Sequence, residues 1–329
     1  MLTAGVAVVG TAAYFELRSS ACCSTPGPGT VTVVDDLGRT VVAPSNASRI
    51  VVLAPNVMDI VFRLGLRDRV VGIGCTPELT GGILNEYSPN QTAEWNLTSS
   101  LCVTDYPSLN TEQVATLNPQ LVLATTITSA TDVATLTTTY NLPVVILAPS
   151  TLDGIVGDVN LVAELFPSSH PAATALDASL EGALTNATAF DNLLADNATP
   201  IPSVLLTYYF DDLGYYTYGP GTFGQSLIDL AAGSSISAGV PLEYAEINAT
   251  VVLSDQPSII LYGTSWNDAY LVANETPSVW PTAPYWDQLN GSKIPIDVTV
   301  ITEADPTMLL ELPWLQYWLH PTLAPVPSG

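Results

Sequence analysis

Residues 31–74 read VTVVDDLGRTVVAPSNASRIVVLAPNVMDIVFRLGLRDRVVGIG. VTVVDDLGRTVV alternates β-branched residues around an Asp-Leu-Gly turn, which predicts a hairpin. Residues 49–54 then form an apolar run stopped by Pro55. Val57, Ile60, Val61 and Leu64 recur at helical spacing and end at Gly65, and Val70 to Ile73 is a second short strand. Strand, helix and strand in quick succession predict a parallel α/β lobe. The pattern continues outward. Asn110-Thr111-Glu112 opens a helix that Pro119 breaks, LVLATT (121–126) is a buried strand, and LPVVILA (142–148) is the next.

Residues 151–199 are Ala- and Leu-rich and predict a helical connector interrupted at Pro167. Alternation then resumes, with PSVLLTYYF as a strand, a Tyr-rich turn, GTFGQSLIDLAAG as a helix, a helix over 248–255, PSIILYG and VTVIT (298–302) as strands, and a closing helix over 306–319. LNTEQVATLNPQLVLA (109–124) and INATVVLSDQPSIILY (247–262) repeat one design: Asn, short helix, Pro, buried strand. The expected organisation is a leader and linker (1–29), a first lobe (30–150), the connector (151–199) and a second lobe (200–329), with a cleft between the lobes.

Charge narrows the function. The chain has 329 residues and 47% apolar content, with seven Lys and Arg against 31 Asp and Glu, a formal net charge of −24. Mean hydropathy is +0.33, which excludes global disorder. After residue 69 the only basic residue is Lys293, so the positive footprint that nucleic acid or an anionic lipid surface requires is missing. Surface polarity must come from Thr, Ser and Asn, and such a surface suits an acidic medium, where carboxylates lose charge and repel less.

Residues 1–15 carry no charge and read as a hydrophobic segment, about 22 Å as a helix against a bilayer core of about 30 Å. A secretory leader, a pilin-like assembly element and a lipid-bearing Cys22 are the alternatives; each predicts an extracellular chain held at the cell surface through its N-terminus. The pattern N-x-[ST] occurs at Asn46, Asn90, Asn96, Asn186, Asn197, Asn248, Asn274 and Asn290. Chance alone gives about three such sites, so the excess predicts a glycosylated exterior. Cys22 and Cys23 are adjacent, which leaves Cys75 and Cys102 to bridge within the first lobe.

The quoted stretch 31–74 resembles the opening of substrate-binding proteins of ABC importers, in the class carrying cobalamin, iron–siderophores and haem. YTYGPGTFGQSLIDLAAG resembles that family's second-lobe loop and helix, and WDQL…IPIDVTVIT…PTMLLELPWLQYWLHP resembles its closing segment. The resemblance runs over residues 30–321. It implies two Rossmann-like lobes bridged by one long helix, modest closure on ligand, and docking on a permease through one surface Glu per lobe. Glu112 stands at the first-lobe position; the second-lobe position holds Thr250, with Glu246 or Glu243 as substitutes, which implies weakened docking.

Gly219-Pro220-Gly221-Thr222-Phe223-Gly224 matches G-x-G-x-x-G, but it follows a Tyr-rich turn and Pro220 removes an amide, so a dinucleotide site is not expected. The amides opening that helix remain a candidate for an anionic ligand group. No hydrolase, zincin or C-x-x-C motif is present, the two His lie apart, and neither catalysis, cofactor nor metal site is expected. The informative feature is aromatic. Tyr208, Tyr209, Tyr215, Tyr216 and Tyr218 crowd one turn, Trp266 and Tyr270 follow the next strand, and Trp286 precedes the last. The expected ligand wall is Tyr209, Tyr216, Tyr218, Trp266 and Trp286 facing Asn56, Thr76 and Thr126. With no basic residue near except Arg63 or Lys293, a strongly anionic siderophore is disfavoured and a corrinoid is less penalised.

The expected function is capture of a large ligand for an ABC importer. The rival expectation, from the missing Glu, the pilin-like start and the sequons, is a self-assembling surface subunit built on the same fold.

Overall fold

The computed structural model describes residues 29–75, 89–104, 108–264, 280–297 and 303–327. The predicted hairpin is present: β1 (Thr30–Val34) pairs antiparallel with β2 (Thr40–Pro44). Its turn is held by Asp35, which is 4% exposed. The carboxylate accepts from the Arg39 guanidinium and from the Ile146 N–H.

The first lobe is a five-stranded parallel sheet in the order β5-β4-β3-β6-β7, with β3 Ile50–Val52, β4 Val70–Cys75, β5 Cys102–Thr104, β6 Leu121–Ala124 and β7 Val144–Ile146. Strands β3, β6 and β7 are buried along their whole length, as continuous apolar runs in a doubly covered parallel sheet must be. Helices α1 (Pro55–Arg63), α2 (Pro89–Glu94), α3 (Thr111–Thr116) and α4 (Ala130–Thr138) belong to this lobe.

Cys75 and Cys102 are joined across the β4–β5 pair, with Cα atoms 5.6 Å apart and a sequence separation of 27. Closing a loop of that length stabilises by about 3 kcal/mol through the unfolded chain. Cys75→Ala/Cys102→Ala is therefore expected to lower the urea midpoint by that free energy, and an unchanged midpoint would refute it.

Two helices fill the connector: α5 (Leu152–Leu165) and the 27-residue α6 (His170–Asp196), which is the bridge between lobes. The second lobe's sheet runs β11-β9-β8-β12-β13, with β8 Ser203–Phe210, β9 Gly214–Tyr218, β11 Tyr244–Asn248, β12 Ile259–Thr264 and β13 Ser292–Asp297; β10 (Ser234–Ser235) adds beside β8. Strands β8, β12 and β13 are parallel, but β9 runs antiparallel to both neighbours. The Tyr-rich turn expected from the sequence is thus a strand of a hairpin. The strand expected over 298–302 lies outside the described residues.

Helices α7 (Phe223–Leu230) and α8 (Ala249–Asp255) flank this sheet. The expected closing helix is two, α9 (Pro306–Leu310) and α10 (Leu312–Leu319), broken at Glu311 ahead of Pro313. One apolar core runs from β3 and α1 through α5 and α6 to β8, β12, α9 and α10, so the lobes share their interior.

A buried polar joint completes the connection. Arg63 Nε reaches both carboxylate oxygens of Asp59 at 2.9 and 2.8 Å. Its Nη2 donates to Thr307 Oγ1 at 2.7 Å, and the Thr307 N–H donates to Asp59 at 3.2 Å. Asp305 caps α9 by accepting the Met308 N–H, and both acids are 1% exposed. Among the described residues no helix is long and apolar enough to cross a membrane.

Candidate functional site

Open α/β sheets present ligand-binding residues at the carboxyl ends of their strands. In the first lobe that edge carries half-buried Asn56, in the first turn of α1, and exposed Thr126, in the loop after β6 beside Ile127, which is 91% exposed. Thr76, after β4, lies outside the described residues, as do Trp266 and Tyr270, after β12.

The second lobe builds its part from an irregularity in β8. The register against β9 slips between Thr207 and Tyr209, and Thr207 Oγ1 lies within hydrogen-bonding distance of the Tyr209 and Tyr216 carbonyls, at 3.1 and 2.8 Å. Tyr208 shares the face of Val204 and Leu206 by ordinary alternation, and the extra residue sets Tyr209 opposite Tyr216, so that it joins the same face. Tyr216 and Tyr218 alternate onto that face from β9. Tyr244 of β11 sits directly opposite Tyr218 in the ladder.

The result is a continuous strip of phenol rings, Tyr209, Tyr216, Tyr208, Tyr218 and Tyr244, with successive centroids 5.3, 6.4, 4.9 and 5.8 Å apart. Its two ends are open, Tyr209 at 58% and Tyr244 at 60% exposure. Burial pushes the Tyr208, Tyr218 and Tyr244 phenols above their usual range, so they are neutral donors at physiological pH. Tyr216 Oη donates to Asp211 at 3.1 Å. Tyr218 Oη is buried and has no hydrogen-bond partner among the described residues.

The start of α7 supports the strip from beneath. A Cβ on Gly224 would stand 2.6 Å from Tyr218 Cγ, so glycine lets the ring lie on the helix, and Gly221 has φ +88°. These two glycines of the G-x-G-x-x-G run therefore serve packing and a turn.

Two expected wall residues need correction. Tyr218 is 2% exposed and acts as the strip's backing rather than its surface. Trp286 is 6% exposed and packs on the opposite face of the sheet, against Trp280, Tyr262 and the Lys293 ammonium, so it is a core residue. Tyr209, exposed, and Tyr216, half-buried, lie in the strip. Tyr244 was missed, although the alternating exposure of Tyr244, Glu246 and Asn248 is the two-residue period of a strand.

The electrostatics are one-sided. Arg39 is bound to Asp35 and Arg63 to Asp59. Arg49, Arg67, Arg69 and Lys293 each donate to backbone carbonyls. Every described Arg and Lys is thus engaged by the fold, and among the described residues none bonds or stacks on the tyrosines of the strip. Among the described residues no cluster of His, Cys, Asp and Glu could hold a metal ion. His320 is buried against the Ala232 carbonyl, and His170 is exposed at the start of α6.

The internal repeat is structural. Asn110 and Asn248 each cap a helix, α3 and α8, accepting from the N–H of Gln113 and Thr250. Two residues beyond each cap stand Glu112 and Thr250, both exposed. The repeat thus superposes an acidic surface position in one lobe on a neutral one in the other.

Comparison with known proteins places this geometry. A cobalamin-binding protein of Halobacterium salinarum is 28% identical over 246 residues, 74% of this chain and 60% of that protein; the match spans about three fifths of that relative's length. The molybdate periplasmic binding protein of Haemophilus influenzae has a TM-score of 0.69 at 19% identity, covering 88% of this chain and 91% of that one. A periplasmic heme-binding protein of Roseiflexus has a TM-score of 0.60 at 22% identity, covering 84% and 99%. Three such different ligands on one architecture mean that the fold alone does not select the cargo. With two lobes, a bridging helix and a family match over residues 50–276, the chain belongs to the periplasmic binding protein family.

Proposed function

We propose that the chain is an extracytoplasmic solute-binding protein that captures a large, flat ligand without strong negative charge, a corrinoid, between its lobes and delivers it to an ABC importer. The observation that carries the reading is the tyrosine strip without a free cation beside it. A row of tilted and edge-to-face phenols suits a broad, partly apolar ring, and their neutral hydroxyls suit an amide-fringed rim. Haem propionates, a catecholate chelate or molybdate would bring charge that no described Arg or Lys is free to meet. The named cobalamin-binding relative agrees with this choice. Asn56 and Thr126 form the facing wall, and Glu112 is the docking carboxylate of the first lobe.

The test is a titration with cobinamide, cobalamin, haemin and a neutral ferric hydroxamate, followed by intrinsic fluorescence. Saturation by a corrinoid at micromolar concentration or below is expected. Tighter binding of haemin would overturn the ligand class, and silence from all four with a folded circular dichroism spectrum would overturn the carrier reading. Tyr244→Ala is expected to weaken the corrinoid about ten-fold, the equivalent of one aromatic contact of about 1.4 kcal/mol. Trp286→Phe, on the other side of the sheet, should leave affinity unchanged.

A further inference from the structure

The eight N-x-[ST] sequons are not equivalent once folded. Six lie among the described side chains, and all six asparagines are exposed: Asn46, Asn96, Asn186, Asn197, Asn248 and Asn290. What separates them is the use made of the side-chain amide. N-glycosylation substitutes Nδ2 and leaves Oδ1 free to accept, so a fold that needs only Oδ1 tolerates the sugar.

Asn46 Oδ1 accepts from Ser168 Oγ at 2.9 Å and from the Ser168 N–H at 3.4 Å, while its Nδ2 makes no bond. Asn248 Oδ1 accepts from the Thr250 N–H and Oγ1 at 2.9 and 2.6 Å, again leaving Nδ2 to solvent. Among the described residues neither amide atom of Asn96 or Asn186 is engaged, and Asn186 stands on the outer face of α6. The other two are different. Asn197 Nδ2 donates to the Leu193 carbonyl at 2.7 Å, tying off the end of α6. Asn290 Nδ2 donates to Gln256 Oε1 at 3.1 Å, linking the turn before β13 to the end of α8.

We propose that Asn46, Asn96, Asn186 and Asn248 are N-glycan acceptors and that Asn197 and Asn290 are structural amides left bare. The donor is a sugar activated as a lipid-linked phosphate. Nδ2 attacks C1 of the sugar, the C1–O bond to phosphate breaks, the carrier leaves as its phosphate, and one Nδ2 proton is released. The reading accounts for a surface that, among the described residues, exposes six sequon asparagines and carries only two ion pairs: the polarity that charges do not supply, sugars would. It depends on export of the chain but not on the identity of the ligand.

Glycopeptide mass spectrometry on the protein purified from its native host tests this. Sugar is expected at all four accepting positions and absent, or about ten-fold lower in occupancy, at Asn197 and Asn290. Thr98→Val, Thr188→Val and Thr250→Val should each remove one glycan mass while leaving the asparagine in place. An unmodified chain would overturn the inference, as would equal occupancy across all six sites or sugar confined to the two structural amides.

Discussion

Replacing Arg63 with methionine is expected to cost about 3–5 kcal/mol of stability at pH 7, and clearly less at pH 4. The joint between α1 and α9 buries two carboxyls, Asp59 and Asp305, around one guanidinium. Burial raises the pKa of both; for Asp59 the Arg63 charge and its hydrogen bonds work against that rise. For Asp305 burial is followed by the repulsion of Asp59, and its carboxyl lies well above the usual range. Asp59 is thus the carboxyl whose anion the Arg63 charge and hydrogen bonds favour, and Asp305 the one whose neutral form burial and the Asp59 charge favour. Without the guanidinium, Asp59 is a buried charge that keeps the Thr307 N–H as a donor but faces Asp305 with no cation between them. Its folded pKa rises further above the unfolded value of about 4, so stability is retained below pH 4 and lost as pH rises through the folded pKa. Urea denaturation at pH 4 and pH 7 measures this, and an equal loss at both would refute it. Adding Asp59→Asn to the variant should recover most of the loss at pH 7, because the cost lies in the unpaired carboxylate and not in the missing side chain.

How far such features were readable depends on whether their causes are local. The first lobe was legible because its parallel strands are buried on both faces and so appear as unbroken apolar runs: IVV, LVLA and VVI. The long bridge showed in its Ala-Leu composition and in the break at Pro167. In the second lobe, β9 hid because both faces of GYYTY are covered, Tyr215 beneath and Tyr218 above, so no polar alternation marks it. β13 hid behind Pro295, which argues against a strand; it is tolerated because β13 is the last strand on its side of the sheet. The tyrosine strip was half legible. Its residues stood out as a cluster, but which rings face outward depends on the slip at Thr207 and on pairing with β11, 26 residues beyond Tyr218. Trp286 shows the same limit, since a tryptophan in a short turn before a strand looks identical whether it faces a cleft or the core. Asp59 and Arg63 stand at i and i+4 on α1, and from sequence Arg63 is only a cation near the expected ligand wall; Thr307, 244 residues away, is what makes the pair an interlobe joint.

Asp158→Asn is expected to stabilise the protein by about 3 kcal/mol at pH 6, and by more at pH 8, with little change at pH 4. Asp158 is 1% exposed on α5 and faces Asp36, whose own carboxylate accepts the Ala148 N–H at 2.6 Å. Burial first, and then the Asp36 charge and hydrogen bond, push the Asp158 carboxyl up to about 9. The folded state therefore holds a proton that the unfolded chain releases near pH 4. Stability from this group is fully present below that pH and falls by about 1.4 kcal/mol per pH unit until the folded group ionises. Asparagine keeps the shape and still donates to Asp36 but carries no titrating proton, so the variant's stability should fall with pH less steeply than wild type, by about 1.4 kcal/mol per pH unit between pH 4 and 9. Parallel pH profiles for variant and wild type would refute the shared proton. Asp59 and Asp305 act with the same sign at the joint, so two separate buried acid pairs move the stability optimum to the acid side of the range usual for folded proteins, about pH 5–8. A net charge of −24 acts the same way from outside, because protonating surface carboxylates relieves their mutual repulsion. Interior and exterior thus favour the same conditions, and the acid-tolerant surface read from composition has a counterpart in the core that composition alone does not show.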